Sequence, residues 1–214
     1  MTWLRVDAIS MREVLQRMLV ISAIGSVVLP VRATIYTWDG GGFSNNWATA
    51  ENWSPDGSVP QSASDTTITL NGNVQTTLIH DLENPFVLNR LEFLNDGATK
   101  PVIALSGNTL RVVTNGTSHP CFYLTRNATC SMSNPVEIPS ETTLKMEFTT
   151  YGLTLNGVIS GEGGIEKLSN DGGLSLANSG NTFSGGLTVH ANDRNWCKVN
   201  IDASGAMGTG PVNL

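Results

Sequence analysis

Charged side chains are scarce in this sequence of 214 residues. They make up 14% of the chain, against roughly 25% in an average soluble protein. The formal net charge is −6, which disfavours binding to a nucleic-acid backbone. Hydrophobic residues still make up 40% of the chain, which is enough for a folded core. We therefore expect a folded protein that does not bind nucleic acid.

Strong helix-forming residues are also sparse after residue 33, where alanine, glutamate, lysine and glutamine are few. Glycine, by contrast, occurs 22 times in the chain, and asparagine, serine and threonine are abundant. These residues favour turns and short strands. The composition therefore argues against a helical bundle and predicts short strands joined by turns.

The short motifs that mark common enzyme sites are missing. The sequence has no G-x-S-x-G of a hydrolase, no P-loop, no complete dinucleotide-binding fingerprint and no H-E-x-x-H. Three histidines lie far apart in the sequence and are interpreted as surface or turn residues rather than as catalytic bases; they are His80, His119 and His190. We therefore predict no catalytic residue, no cofactor and no metal site.

Cysteine is rare, since the chain has only Cys121, Cys130 and Cys197. No C-x-x-C spacing supports a zinc site, and three cysteines in so long a chain do not form a disulfide framework. Cys121 and Cys130 are close enough in sequence to close a small loop, which would leave Cys197 unpaired. We expect small buried thiols, with Cys121–Cys130 as the one candidate disulfide.

The N-terminal region, 1–33, differs from the rest of the chain. Three arginines precede an apolar run over residues 18–31, which is shorter than a membrane-spanning helix requires. Small residues at the end of this region place a cleavage site between Ala33 and Thr34. This order predicts a secretory signal peptide over 1–33 and hence an exported protein. An amphipathic or anchoring helix is the alternative.

Residues 34–70 hold three of the five tryptophans, at Trp38, Trp47 and Trp53, in a stretch rich in glycine and proline. Large rings can cover the apolar end of a fold, so we predict an N-terminal cap over 34–70. The alternative is a glycan contact, in which the tryptophans stack on a sugar and Asp39 beside Trp38 forms hydrogen bonds to it.

From residue 68 onward, short segments alternate between apolar and polar residues, as at 68–70 and 174–176. This period is typical of strands with one buried face, and pairs such as Asn-Gly and Ser-Gly between them indicate turns. A sandwich or a barrel fits this pattern, and so does a β-solenoid. The solenoid is favoured by the even spacing of the last four segments, which begin at residues 174, 187, 199 and 212.

Two adjacent stretches carry a specific motif: G-V-I-S-G-E-G-G-I-E-K at 157–167 and G-N-T-F-S-G-G-L-T-V at 180–189. They resemble the autotransporter-associated β-strand repeat of bacterial exported proteins. A-S-G-A-M-G-T-G-P-V at 203–212 is similar to the segment that often follows that repeat, whereas the resemblance is weak over 85–150. The resemblance to this repeat implies a right-handed parallel β-helix that is exported and then secreted or displayed at the cell surface. It implies no catalytic residues.

Taken together, these patterns predict an all-β protein with a signal-peptide helix, a Trp-rich cap and a right-handed parallel β-helix over 71–214. Because Leu214 falls within a predicted strand, we expect the repeats to continue in a longer protein. The expected function is that of a non-enzymatic, structural or adhesive passenger segment at the outer membrane or outside the cell. Surface glycans and other cell-surface proteins are the expected partners, with membrane contact only through export or a missing C-terminal anchor.

Two other functions stay open. Some parallel β-helices cleave polysaccharides, which requires grouped carboxylates on one face. The candidates here are Glu162, Glu166 and Asp171, with Lys167 nearby, and they form no D-x-D or D-D pair. The other alternative is a glycan-binding module centred on the three tryptophans.

Overall fold

The computed structural model describes residues 33–55, 57–71, 76–95, 102–125, 129–149, 151–168, 171–190 and 197–214. All of these residues belong to one unit, Ala33–Leu214. The predicted signal peptide over 1–33 lies outside the described residues, except for Ala33.

Short strands dominate the described part of the chain, with one turn of 3-10 helix at Ala50–Asn52. In chain order the strands are β1 (Thr34–Trp38), β2 (Trp53–Ser54), β3 (Thr66–Asn71), β4 (Thr77–His80), β5 (Phe86–Leu88), β6 (Arg90–Leu94), β7 (Val102–Gly107), β8 (Leu110–Val112), β9 (Cys121–Leu124), β10 (Thr129–Met132), β11 (Val136–Glu137), β12 (Thr143–Phe148), β13 (Gly152–Leu155), β14 (Ile159–Ser160), β15 (Gly164–Lys167), β16 (Gly172–Leu176), β17 (Leu187–Val189), β18 (Cys197–Ile201) and β19 (Val212–Asn213).

The strands form three sheets. Sheet 1 has the order β2-β1-β3-β6-β9-β12-β15-β17-β19, sheet 2 the order β4-β7-β10-β13-β16-β18, and sheet 3 the order β5-β8-β11-β14. From β3 to β14 the chain passes through sheets 1, 2 and 3 in turn and then returns beside the strand that it left. Neighbours pair in parallel, except β1 with β2, which is antiparallel.

This arrangement is a parallel β-solenoid of about 5 turns. The prediction of an all-β chain built from stacked parallel coils is confirmed. The right-handed sense of the coil, the N-terminal cap and the signal-peptide helix stay predictions.

The core consists of rows in which each inward side chain packs on the equivalent side chain of the next coil. Alternation along the strands produces these rows: in β12, Leu144, Met146 and Phe148 are buried and the residues between them are not. Parallel strands about 4.8 Å apart hold equivalent residues in contact, and each fully buried apolar side chain contributes roughly 1.5–3 kcal/mol. One such row in sheet 2 comprises Leu78, Leu105, Met132, Leu155 and Leu176.

The even spacing near the C-terminus corresponds to half a turn, not to a whole coil. Leu174 pairs with Val199 in sheet 2, and Leu187 pairs with Val212 in sheet 1. The four segments therefore alternate between two sheets, and one full turn there leads from Leu174 to Val199. The packing of inward side chains determines which strands pair. The number of residues in a coil therefore varies with the length of the connections between its strands.

Asparagine side chains at the turns form hydrogen bonds between coils. Asn134 Nδ2 donates to the carbonyl oxygen of Asn108 at 2.8 Å. The buried Asn181 accepts from the backbone N–H of Ile159 at 2.8 Å and donates to the carbonyl oxygen of Ala206 at 2.8 Å. These amides satisfy backbone groups where the strand pairing is interrupted, which stabilises the corners.

Glycine is required where the G-E-G-G turn passes close to the preceding coil. A Cβ at Gly163 would lie 2.4 Å from Ile138 Cγ2 and 2.5 Å from the carbonyl oxygen of Thr142. Gly161 has φ +104°, which side-chain-bearing residues rarely adopt. The repeat motif therefore places glycine where the backbones of successive coils make contact.

Candidate functional site

The three tryptophans that were candidates for glycan contact form one buried cluster. Trp38, Trp47 and Trp53 each have 0% exposure. The Trp53 ring meets the other two edge to face, with centroids 5.2 Å from Trp38 and 5.4 Å from Trp47. Trp53 Nε1 donates to the carbonyl oxygen of Trp47 at 2.7 Å. The rings are core residues in this structure, so none of them has an exposed face on which a sugar could stack.

His80 extends this cluster and is buried, unlike the surface or turn residue expected from sequence. Its ring centroid lies 4.6 Å from that of Trp47 and 5.2 Å from that of Phe86. Because a carbonyl oxygen only accepts, Nδ1 carries the proton that is donated to Asn108 at 3.1 Å. Burial lowers the pKa of His80, while the Asn108 hydrogen bond and the Asp81 carboxylate oppose this shift. Sequence analysis could not identify this buried position, because a single histidine belongs to no periodic pattern of buried residues.

All three cysteines are free thiols in this structure. Cys121 lies in β9 of sheet 1 and Cys130 in β10 of sheet 2, and both are buried. Burial raises the pKa of the Cys121 thiol to about 11 and also raises the pKa of Cys130. Cys197 is partly exposed, and its Sγ donates to the carbonyl oxygen of Leu168 at 3.4 Å. The buried thiols are as expected, and the candidate disulfide is not formed here.

The candidate catalytic carboxylates each have a separate environment. Glu166 projects outward from β15, where Lys145 Nζ lies 3.7 Å and His190 Nε2 lies 2.8 Å from its oxygens. Glu162 lies in the turn before β15, and Asp171 precedes β16 in a different sheet. The structure therefore places Glu166 in a surface charge network on sheet 1.

Lys167 is turned inward and takes a core position. It follows Met146 in an inward row of sheet 1 and has 0% exposure. Its Nζ donates to the carbonyl oxygen of Leu168 at 2.9 Å and lies 4.9 Å from the centroid of the Phe148 ring. Burial lowers the pKa of this amine. Adjacent residues in a strand face opposite sides, so Lys167 and Glu166 cannot act on one ligand.

A surface cavity that no sequence motif indicates lies near the N-terminus of the described chain. It has a volume of about 350 Å³ and is lined by Gly41, Gly42, Phe43, Ser44, Thr49 and Glu51. Phe43 is fully exposed at its edge, and Glu51 is exposed as well. Sequence analysis could not detect this site, because a single phenylalanine after a glycine run belongs to no periodic pattern.

The loop that carries Phe43 is fixed by the buried side chain of Asn52. Asn52 Oδ1 accepts the backbone N–H of Gly42 at 2.9 Å. Its Nδ2 donates to the carbonyl oxygens of Ser44 at 2.9 Å and Asn46 at 3.1 Å. Hydrogen bonds thus hold the backbone on both sides of Phe43, which leaves the ring at the tip of an ordered loop.

Comparisons with protein-family models, with curated proteins and with solved structures found no match for this chain. Among the described residues, no helix has the length and apolar character needed to cross a membrane. The same residues include no group of three or more His, Cys, Asp and Glu side chains arranged to hold a metal ion. Functional inference therefore depends on the sequence motifs and on the surfaces of the solenoid.

Proposed function

We propose that this chain is an exported, non-enzymatic β-solenoid that serves as a structural and adhesive segment at a bacterial cell surface. The observation that carries the proposal is the continuous stacking of parallel coils, in which every coil supports the next through inward rows. Repeating coils create an extended surface along which a partner can bind. The signal-peptide pattern and the resemblance of 157–189 to an autotransporter-associated repeat support the cellular location.

The outer faces of the solenoid differ in charge. Sheet 1 carries ion pairs such as Arg90 with Glu92 and Lys145 with Glu166. The central outward row of sheet 2 consists of short, uncharged side chains at successive register positions, namely Thr77, Ala104, Ser131, Thr154, Ser175 and Asn200. Hydroxyl groups on such a face can form hydrogen bonds to a partner without desolvating a charge. This face supports the adhesive part of the proposal.

Export is tested by expressing the full chain with a C-terminal tag in a Gram-negative host. We expect the tagged protein outside the cytoplasm with Thr34 as its first residue. In the variant Ala33→Trp the bulky side chain should block cleavage, so that the precursor keeps residues 1–33. Retention of the uncleaved wild-type chain in the cytoplasm would refute this part of the proposal.

Adhesion is tested separately with two matched charge insertions on different faces. Thr154→Arg places a cation in the uncharged row of sheet 2, whereas Thr188→Arg places one on the outward face of β17 in sheet 1. We expect Thr154→Arg to reduce attachment of displaying cells to glycan-coated surfaces, with Thr188→Arg close to wild type. Equal attachment by both variants would contradict a role for the sheet 2 face.

A second candidate function is that of a glycan-binding module. It is favoured by the cavity beside Phe43, whose ring is exposed, rather than by the three tryptophans, whose rings are buried.

A further inference from the structure

The environment of Phe43 differs from that of every other phenylalanine in the chain. The sequence has six phenylalanines, and five of them are almost completely buried, namely Phe86, Phe93, Phe122, Phe148 and Phe183. Phe43 has a relative exposure of 110%. Burial of an aromatic ring stabilises a fold, and this fold does not gain that contribution from Phe43. Phe43 also lines a cavity, and aromatic side chains in a cavity wall can form the apolar contact with a ligand.

The loop that presents Phe43 is already ordered without a ligand. Hydrogen bonds from Asn52 hold the backbone at Gly42 and Ser44. A Cβ at Gly42 would lie 2.7 Å from Thr49 Cγ2, so glycine allows the two chain segments to pack closely. An ordered loop loses little conformational entropy on binding, which favours affinity.

The groups that line the cavity complement a particular ligand chemistry. The ring offers an apolar face, and Glu51 offers a carboxylate that accepts hydrogen bonds. Ser44 and Thr49 form a hydrogen bond to each other through their hydroxyls, and Ser44 Oγ also accepts the backbone N–H of Asn46 at 3.2 Å, so this side of the cavity is polar. A pyranose has an apolar C–H face and several hydroxyl donors, whereas an anionic ligand would be repelled by Glu51 and by the net charge of −6.

We propose that the Phe43 site, formed by residues 41–44 with Thr49 and Glu51, binds a neutral pyranose unit of a glycan. The sugar stacks its C–H face on Phe43 and donates hydroxyl hydrogen bonds to Glu51. This inference rests on the second candidate function, the glycan-binding module, and specifies its site and its ligand class. The cavity volume of about 350 Å³ is at the lower end of the range for small-molecule sites, which suits a single sugar unit.

The test is calorimetric titration of the purified full-length protein with cellohexaose, mannohexaose and a neutral galactan oligosaccharide. We expect at least one of them to bind, and Phe43→Ala to weaken that binding by about tenfold or more through loss of the stacking surface. Phe43→Trp should retain or increase the affinity, and Glu51→Gln should decrease it. Val158→Ala, which changes an exposed apolar residue outside both sheet 2 and the Phe43 site, is the control and should bind like wild type.

Because Phe43 is exposed, Phe43→Ala should leave the unfolding midpoint unchanged, which separates loss of binding from loss of folding. The inference is overturned if none of these neutral oligosaccharides binds, if Phe43→Ala binds them like wild type, or if only anionic oligosaccharides bind. Export and attachment through the sheet 2 face are measured in different assays, so failure of glycan binding at Phe43 and failure of the proposed function are distinguishable.

Discussion

Replacing Trp53 with phenylalanine tests whether one hydrogen bond stabilises the buried aromatic cluster. Trp53 and Trp38 are both fully buried, and their rings meet edge to face at 5.2 Å. Trp53 Nε1 donates to the carbonyl oxygen of Trp47 at 2.7 Å, whereas Trp38 Nε1 has no hydrogen-bond partner in the described part of the chain. Trp38→Phe is therefore a matched control for Trp53→Phe.

The two substitutions remove the same atoms, so the costs of the smaller ring largely cancel between them. Trp53→Phe also leaves the Trp47 carbonyl without this donor in the core, which costs about 1–3 kcal/mol. Trp38→Phe instead removes an unpaired buried N–H, which relieves a cost of similar size. We expect Trp53→Phe to lower the free energy of unfolding by about 2–6 kcal/mol more than Trp38→Phe does.

The assay is urea unfolding of the full chain followed by circular dichroism, together with hydrogen exchange to locate the change. Because solenoid coils interact mainly with their neighbours, loss of exchange protection should be greatest near β1, β2 and β3. Equal losses of stability in the two variants would refute the assigned role of the Trp53 hydrogen bond. A larger loss for Trp38→Phe would do so as well.

Three further predictions concern buried polar groups and close backbone contacts. Burial lowers the pKa of His80 below its ordinary 6.5, so the unfolded chain binds the imidazole proton more tightly than the folded chain does. The free energy of unfolding of the wild type should therefore decrease as the pH falls below 6.5. His80→Phe should show a smaller decrease, measured by urea unfolding at several pH values. Gly163→Ala should lower the free energy of unfolding by about 2 kcal/mol or more, because its Cβ would clash with the preceding coil. Gly173→Ala is the control and should change the urea unfolding midpoint little, because its Cβ would lie 4.0 Å from the nearest atom. Similar unfolding midpoints for the two variants would contradict the close contact at Gly163. Burial also lowers the pKa of Lys167, so Lys167→Met should be more stable than the wild type by about 1 kcal/mol at neutral pH. This difference should decrease as the pH rises toward 10.5, because the wild-type amine then loses its charge in the unfolded chain as well. A difference that does not change with pH would contradict this prediction.

The class of fold could be predicted because its signals are local. Alternation with period 2 identifies strands such as β12 and β13, and the glycine-rich pairs identify the turns between them. The strands also recur at regular steps near the C-terminus, which indicated stacked coils. These features depend on neighbouring residues, and they do not change with the way the coils pair.

Coil length could not be predicted, because it depends on which distant strands pair. Leu144 pairs with Ile165, whereas Leu91 pairs with Phe122, which follows it after a longer stretch of chain. The sequence shows the strands in both cases but not the register between them. Only the packing of inward rows decides that register. In the structure, the regular step between strands near the C-terminus corresponds to half a turn of the solenoid.

The sequence by itself determined that this chain forms short strands with apolar inward positions, because strand alternation and turn chemistry are local properties. Only the tertiary structure decided which aromatic residues are accessible. Trp53 and Phe43 both follow glycine- or asparagine-containing turns, yet Trp53 is enclosed by two other tryptophans while Phe43 is exposed at a loop tip held by Asn52. The exposure of an aromatic ring depends on residues that the pairing of β1, β2 and β3 brings together. The candidate site is therefore at Phe43 and not at the tryptophans.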